Sequence, residues 1–251
     1  LTPQIFQTKL QTTNKLIKEL ERDFHSNTFF FNATSYLGKE KNIPFKTDSR
    51  LFVDIASQET GIPWINKPDS LPVNHQELRA NDLKPLLKEM MLISDNFLAE
   101  QLLLNAAAFT LDSMQTSIIQ AYVLKGVLKD LAQKPRWVDG SGLSRYNLFT
   151  PLSLTQVLHK MYLKHSWDTL LHFFPIGGEK GTLSNWFKGA QKPYIYAKTG
   201  SLGNTYCLSG FLITKNNKRL IFSYMNNHFT KPSSQIKQEM EMVLEAIRDQ
   251  Y

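Results

Sequence analysis

Cysteine is nearly absent from this 251-residue sequence, which contains only Cys207. A single cysteine cannot form an internal disulfide. Cys207 stands in an apolar, strand-like stretch, where a buried and unreactive thiol is expected rather than a nucleophile. The six histidines show no spacing typical of metal ligands. The glycine-rich stretch 177–182 lacks the Gly-Lys-Ser/Thr ending of a phosphate-binding loop. The sequence therefore predicts neither a metal nor a cofactor.

A long hydrophobic segment is also missing. No apolar run reaches about 18 residues, so no transmembrane segment is predicted. The formal net charge is +7, but the lysines and arginines are scattered, without a basic block or interleaved aromatic residues. Nucleic-acid binding is therefore not expected. The sequence begins at Leu1 without a signal peptide, so we expect a processed chain or a fragment.

The first part of the chain is predicted to contain two helices and a strand. Residues 4–24 carry apolar positions at mixed helical spacing and are predicted to form an amphipathic helix. Residues 28–31 are a strand candidate, and residues 47–49 are predicted to cap a helix over about 50–59. The segment 63–75 holds three prolines and is predicted to be a linker, with a domain boundary after residue 75.

The remainder is predicted to be a block of helices followed by strands and a final helix. The helices are expected from about 81, from about 96, over 113–133, from 150 and from 232, with strands over about 193–202, 206–213 and 219–225. The three strands are predicted to form an antiparallel meander packed on the last helix. This order of elements favours an α+β fold.

The triplet Lys198-Thr199-Gly200 lies on the first of these strands. Lysine offers a point cation, threonine a hydroxyl, and glycine a bare backbone that a ligand can approach closely. Together they suit a substrate that ends in a carboxylate. The same triplet can also occur by chance at the end of an edge strand.

A second triplet, Ser94-Asp95-Asn96, precedes Lys198 by 104 positions and separates two helical patterns. One interpretation is structural: Ser94 caps the second helix. The other is functional, because Ser-Asp-Asn and Lys-Thr-Gly are two of the three elements of serine penicillin-recognising enzymes. The third element is Ser-x-x-Lys.

Further motifs support the functional interpretation. Asp139-Gly140-Ser141-Gly142 and the stretch 177–183 lie between the two triplets. In this order the motifs resemble the D-alanyl-D-alanine carboxypeptidase/endopeptidase family of low-molecular-mass penicillin-binding proteins, the penicillin-binding protein 4 type, over about residues 79–230. The resemblance implies an antiparallel sheet covered by helices, an all-helical subdomain, and an active site in the cleft between them.

The resemblance also implies roles for individual residues. Ser94 would relay protons to the leaving nitrogen, Asn96 would hold the acyl-side amide, and Lys198 would attract the terminal carboxylate. A further set is implied in substrate binding: Thr199 as a hydroxyl donor, Gly200 as backbone, Ser201 through its N–H as half of the oxyanion hole, and Asp139. From its own sequence context Asp139 is expected to be a turn former and loop anchor.

The same family resemblance implies peptidoglycan stem peptides as substrates and β-lactams as inhibitors. It implies a location in the periplasm or elsewhere in the extracytoplasmic envelope.

The Ser-x-x-Lys element is missing upstream of Ser94, where the family places it. Thr12 and Lys15 have the spacing, but they lie inside the predicted first helix. Ser234 and Lys237 match in letters, but they follow both other motifs on the last helix, where Ser234 is expected in the first turn.

Two explanations follow. The chain is the C-terminal part of a longer enzyme, with residues 1–75 the tail of an inserted or N-terminal region and 76–251 the C-terminal part of the penicillin-binding domain. Alternatively, it is a short form that binds peptidoglycan peptides without turning them over. A β-lactamase is a weaker alternative, because the motifs at Asp139 and Gly181 resemble the peptidase branch.

Overall fold

The computed structural model describes residues 4–17, 19–34, 43–67, 69–70, 73–74, 82–188 and 192–251. The chain divides into two compact units, residues 1–78 and 79–251. The domain boundary predicted after residue 75 lies outside the described residues.

The first unit is built from short strands rather than from the predicted first helix. Its elements are a 3-10 helix (Gln4–Lys9), strands β1 (Leu10–Thr12), β2 (Glu21–Arg22) and β3 (Phe29–Phe31), and helix α1 (Ser49–Thr60). The strand order among the described residues is β1-β3-β2, with β1 parallel and β2 antiparallel to β3.

The prediction of a helix over residues 4–24 is therefore wrong. The polar run 12–14 has low helix propensity, and pairing with β3 satisfies the backbone instead. The strand over 28–31 and the helix α1 are confirmed. The side chain of Asp48 caps the start of α1, and Gly61 ends it in the left-handed conformation.

The second unit begins with helices. They are α2 (Lys84–Ile93), α3 (Asn96–Leu111), α4 (Thr116–Lys125), α5 (Pro151–Lys164) and α6 (Trp167–Phe173). The helix predicted over 113–133 is shorter than expected, because the chain leaves helical geometry at Gly126. Helix α6 was not predicted.

A sheet and a terminal helix complete the second unit. The strands are β4 (Ile195–Leu202), β5 (Thr205–Ile213) and β6 (Arg219–Asn227), and helix α7 spans Ser233–Gln250. In the described residues the three strands pair antiparallel in the order β4-β5-β6, so the predicted meander is confirmed. No helix in the described part of the chain is both long enough and apolar enough to cross a membrane.

Both faces of this sheet are covered by helices. One face of β5 packs on α7, and the side chains buried between them are Tyr206, Leu208, Leu212, Ile236, Met240 and Leu244. On the other face, Phe211 packs with Leu158 of α5 and Leu170 of α6. Cys207 also lies on this second face and is half-buried, and burial raises the pKa of its thiol.

The strand register determines the face on which Lys198 lies. Tyr196 pairs with Phe211 and Lys198 pairs with Ser209. Residues that pair directly in an antiparallel sheet share a face, and side chains alternate along a strand. The Lys198 side chain therefore leaves the sheet on the face that carries Phe211, opposite to the face that packs on α7.

Replacing Phe211 by alanine should remove the centre of the cluster between the sheet and α5 and α6. Phe211 is completely buried, and its ring centroid lies 5.3 Å from that of Trp167 and 5.4 Å from that of Phe174. We expect the free energy of unfolding to fall by about 3–5 kcal/mol, measured by urea denaturation. The control is Phe109→Ala, because the Phe109 side chain is 97% exposed. Equal losses in the two variants would contradict this account of the core.

Candidate active site

The turn between α2 and α3 places the first predicted triplet. Helix α2 ends at Ile93, and Ser94 takes the left-handed conformation, with φ 60° and ψ 48°. Asp95, not Ser94, is the N-cap of α3: its carboxylate accepts a hydrogen bond of 2.8 Å from the N–H of Leu98. The interpretation of Ser94 as the helix cap is therefore wrong, and its hydroxyl is available for other contacts.

Lys198 reaches this turn from β4. Its Nζ donates to Ser94 Oγ at 2.6 Å and to the backbone oxygen of Thr199 at 2.8 Å. Among the described residues, no carboxylate forms an ion pair with Lys198. Burial disfavours the charged form and lowers the pKa of the Lys198 ammonium to about 8.

A cavity of about 420 Å³ lies at this contact. It is lined by five of the seven predicted site residues: Ser94, Asn96, Asp139, Lys198 and Thr199. The other lining residues are Met90, Met91, Asp95, Ala99, Trp137, Gly140, Ser141, Gly142, Asn147, Phe149 and Leu154. Gly200 and Ser201 continue along β4 and do not line it.

The Asp139 carboxylate anchors its own loop. Oδ1 accepts from the N–H of Gly142 at 2.5 Å and from Nδ2 of Asn147 at 3.0 Å, and Oδ2 accepts from the N–H of Ser144 at 2.8 Å. Burial raises the pKa of Asp139, but these hydrogen bonds outweigh that effect and lower it. The expected role as a loop anchor is confirmed, and a role in substrate binding stays a prediction.

The same loop is fixed against α3. The N–H of Ser141 donates to Glu100 Oε1 at 2.9 Å. A Cβ atom at Gly140 would lie 2.7 Å from the carbonyl oxygen of Ala99, so only glycine allows this approach. Glu100 and Asn147 were not assigned as site-forming residues from the sequence.

Thr182 is a further residue that the sequence interpretation did not assign. The Thr199 hydroxyl donates to the Thr182 hydroxyl at 2.9 Å, and the Thr182 side chain is exposed. Its place directly after Gly181 in a glycine-rich loop was the one local signal that could have indicated it.

The Ser234–Lys237 pair does not contribute to this cavity. Both residues lie near the start of α7, with Ser234 in its first turn, as expected, and Lys237 just beyond it. The Lys237 Nζ lies over the rings of Tyr206 and Trp186, at 4.9 and 5.4 Å from their centroids. Tyr206 belongs to the sheet face that packs on α7, opposite to Lys198. Within the described residues, no group of three or more His, Cys, Asp or Glu side chains is placed to hold a metal ion.

Comparisons with known proteins agree with these motifs. A family model described as the D-Ala-D-Ala carboxypeptidase 3 (S13) family matches residues 59–247. The chain is 31% identical over 178 residues to D-alanyl-D-alanine carboxypeptidase DacB of Haemophilus influenzae, with 67% of this chain and 36% of that protein covered. It is 30% identical over 162 residues to carboxypeptidase DacB of Mycolicibacterium smegmatis, with 61% and 35% covered. The chain thus spans about a third of the length of these curated relatives.

Among solved structures, penicillin binding protein 4 from Haemophilus influenzae, in complex with a β-lactam, matches with a TM-score of 0.69. The sequence identity is 20%, and 96% of this chain and 64% of that chain are covered. At this identity the match establishes the fold. The predicted α+β fold of the penicillin-binding-protein type is confirmed.

Substituting Asp95 tests its role as the N-cap of α3. Asp95→Ala removes the cap of α3, so we expect the free energy of unfolding to fall by about 1 kcal/mol in a denaturation experiment. Asp95→Asn is the matched control, since asparagine caps a helix about as well as aspartate. An Asp95→Ala variant as stable as the parent would show that another residue caps α3.

Proposed function

The chain belongs to the D-Ala-D-Ala carboxypeptidase 3 (S13) family, and on this premise we propose that the protein is a serine-type D-Ala-D-Ala carboxypeptidase or endopeptidase. Its substrates are the stem peptides of peptidoglycan, which it cleaves through an acyl-enzyme. The observation that carries this proposal is the 2.6 Å hydrogen bond from Lys198 to Ser94, in a cavity that Asn96 and Thr199 also line. A cation, two hydroxyls and a carboxamide in one cavity suit a peptide that ends in a carboxylate.

The carboxylate subsite is formed by Lys198 and Thr199. The Lys198 ammonium supplies positive charge, and no carboxylate among the described residues pairs with it. An anionic ligand can therefore provide the negative charge. The Thr199 hydroxyl lines the cavity and can donate to the same carboxylate. On the acyl side, the Asn96 carboxamide offers both a donor and an acceptor for the amide of the preceding residue.

Ser94 takes the role of proton relay. When the nucleophile attacks the scissile carbonyl carbon and the C–N bond breaks, the leaving nitrogen needs one proton. That proton originates on the nucleophile's hydroxyl. Ser94 can pass it on, because a hydroxyl accepts and donates at the same time, and Lys198 holds Ser94 Oγ in place. The Ser201 N–H supplies half the oxyanion hole, a donor typically worth about 3 kcal/mol. Water then hydrolyses the acyl-enzyme.

The nucleophile belongs to a Ser-x-x-Lys segment that lies upstream of these 251 residues in a longer protein. Ser94 and Ser141 line the cavity, but neither has a lysine three positions on, where one helical turn would bring the two side chains together. The length relationship with the curated relatives supports this view. On this proposal, residues 1–75 are the tail of an inserted or N-terminal region, and 76–251 are the C-terminal part of the penicillin-binding domain.

The substrate and inhibitors follow from the same proposal. Peptidoglycan lies outside the cytoplasmic membrane, so the protein works in the periplasm or elsewhere in the extracytoplasmic envelope. β-Lactams act as inhibitors, in line with the β-lactam complex of the Haemophilus influenzae relative.

A second candidate function is a binding module for peptidoglycan peptides without turnover. It is favoured by one observation: the carboxylate-binding and amide-binding side chains are assembled around the cavity although the nucleophile is not among them. Recognition of a carboxylate does not require the nucleophile.

Binding of an N-acyl-D-Ala-D-Ala peptide should depend on the charge of Lys198. Well below pH 8 the ammonium is protonated and the affinity should be constant. As the pH rises through the Lys198 pKa of about 8, the affinity should fall by about tenfold per pH unit, because only the protonated form binds the carboxylate. Asp139 stays ionised in this range, because its pKa is lowered, and it therefore does not contribute to the pH dependence of the affinity. The measurement is an NMR titration of the 251-residue chain between pH 6 and 10.

Two variants serve as controls for this pH dependence. Lys198→Arg should bind with a flat pH profile, because a guanidinium stays protonated throughout. Lys198→Met should bind weakly at every pH. A wild-type affinity that is constant to pH 10 would rule out Lys198 as the carboxylate's partner.

Intact-protein mass spectrometry after incubation with penicillin tests the missing nucleophile. The 251-residue chain should show no covalent adduct. A longer chain that includes the upstream Ser-x-x-Lys segment should gain the mass of one penicillin, and replacing that serine by alanine should abolish the gain. An adduct on the 251-residue chain itself would contradict the proposed location of the nucleophile.

A further inference from the structure

The loop of residues 175–188, which carries Thr182, is held along β4. The N–H of Gly177 donates to the carbonyl oxygen of Ile195 at 2.9 Å, and the N–H of Ala197 donates to the carbonyl oxygen of Pro175 at 3.1 Å. These backbone bonds extend the β4 edge and set the distance of the loop from the strand that carries Lys198 and Thr199.

The same loop is also held against α2 and α7. Gly181 has φ +69°, and a Cβ atom there would lie 2.7 Å from the carbonyl oxygen of Leu92. Leu183 is completely buried. The N–H of Phe187 donates to a carboxylate oxygen of Glu241 on α7. Thr182 lies between Gly181 and Leu183, so its position is fixed on both sides.

The hydrogen bond between Thr199 and Thr182 directs the only hydroxyl proton of Thr199. Thr199 donates to Thr182 at 2.9 Å, and Thr182 does not line the cavity. A hydroxyl has one proton and two lone pairs. Thr199 therefore cannot donate to a ligand carboxylate while it donates to Thr182. The Thr182 hydroxyl, in contrast, still has its own proton to donate.

We propose that Thr182 is a positioning residue for the carboxylate subsite and that its hydrogen bond with Thr199 reverses when a carboxylate binds. Thr182 then donates to the Thr199 oxygen, and the Thr199 proton turns to the carboxylate. No proton leaves either side chain. The reversal lets Thr199 form a charge-assisted hydrogen bond with the carboxylate in place of the neutral one with Thr182. The two hydroxyls then donate in the same direction, Thr182 to Thr199 and Thr199 to the carboxylate. This inference rests on the proposed function, because it assumes that Thr199 binds the terminal carboxylate.

The test compares two ligands on three chains. N-acyl-D-Ala-D-Ala and its C-terminal amide are titrated by NMR into the wild-type chain, Thr182→Val and Thr182→Ser. Valine keeps the shape of threonine but cannot donate. We expect Thr182→Val to bind the carboxylate ligand about fivefold more weakly, as for the loss of one net hydrogen bond. Its affinity for the amide should be unchanged, and Thr182→Ser should retain wild-type affinity for both ligands.

Ser184→Ala is the matched control, since it removes a hydroxyl from the same loop without touching Thr199. It should leave both affinities unchanged. The inference would be overturned if Thr182→Val lost the same affinity for the carboxylate ligand and for the amide. It would also be overturned if Ser184→Ala lost as much affinity for the carboxylate ligand as Thr182→Val. A Thr182→Val variant that binds like the wild type would overturn it while the proposed function stands. Wild-type protein that binds neither ligand would overturn both.

Discussion

The site depends on one hydrogen bond between residues 104 positions apart: the Lys198 ammonium donating to the Ser94 hydroxyl. It joins the turn between two helices to a strand, and so it defines the cavity from both sides. Three conditions make it possible. Asp95 takes over the capping of α3, which leaves the Ser94 side chain free. The left-handed backbone at Ser94 makes the turn sharp. The strand register puts Lys198 on the face opposite to α7.

The surroundings of this contact are polar, but most of their polar groups are already bonded within the loops. Asp139 uses both carboxylate oxygens on its own loop, and Glu100 accepts from the same loop. Lys198 differs, because its partners are a hydroxyl and a backbone oxygen. The positive charge of Lys198 is thus held in a largely preorganised site, where burial lowers the pKa of the lysine to about 8. Such a site favours an anionic ligand.

The loop that carries Asp139 and the loop of residues 175–188 use glycine for the same physical purpose. Gly140 allows its loop to touch the backbone of α3, and Gly181 allows the 175–188 loop to touch the end of α2. In each case a side chain would collide with a carbonyl oxygen. Close backbone packing fixes the neighbouring polar residues, Asp139 in one loop and Thr182 in the other, more firmly than a flexible surface loop would.

The sequence by itself determined the elements whose signals are local. The β4–β6 meander, α7 and the capped helix α1 were predicted because alternation, helical periodicity and caps act over a few residues. The motifs likewise identified the family and pointed to five of the residues that line the cavity. Only the tertiary structure decided which residue caps α3, that residues 10–12 and 21–22 pair with β3, and that Thr182 contacts Thr199. It also decided the pKa of Lys198. These features depend on contacts between distant residues and on burial, and neither can be derived from the order of neighbours along the chain.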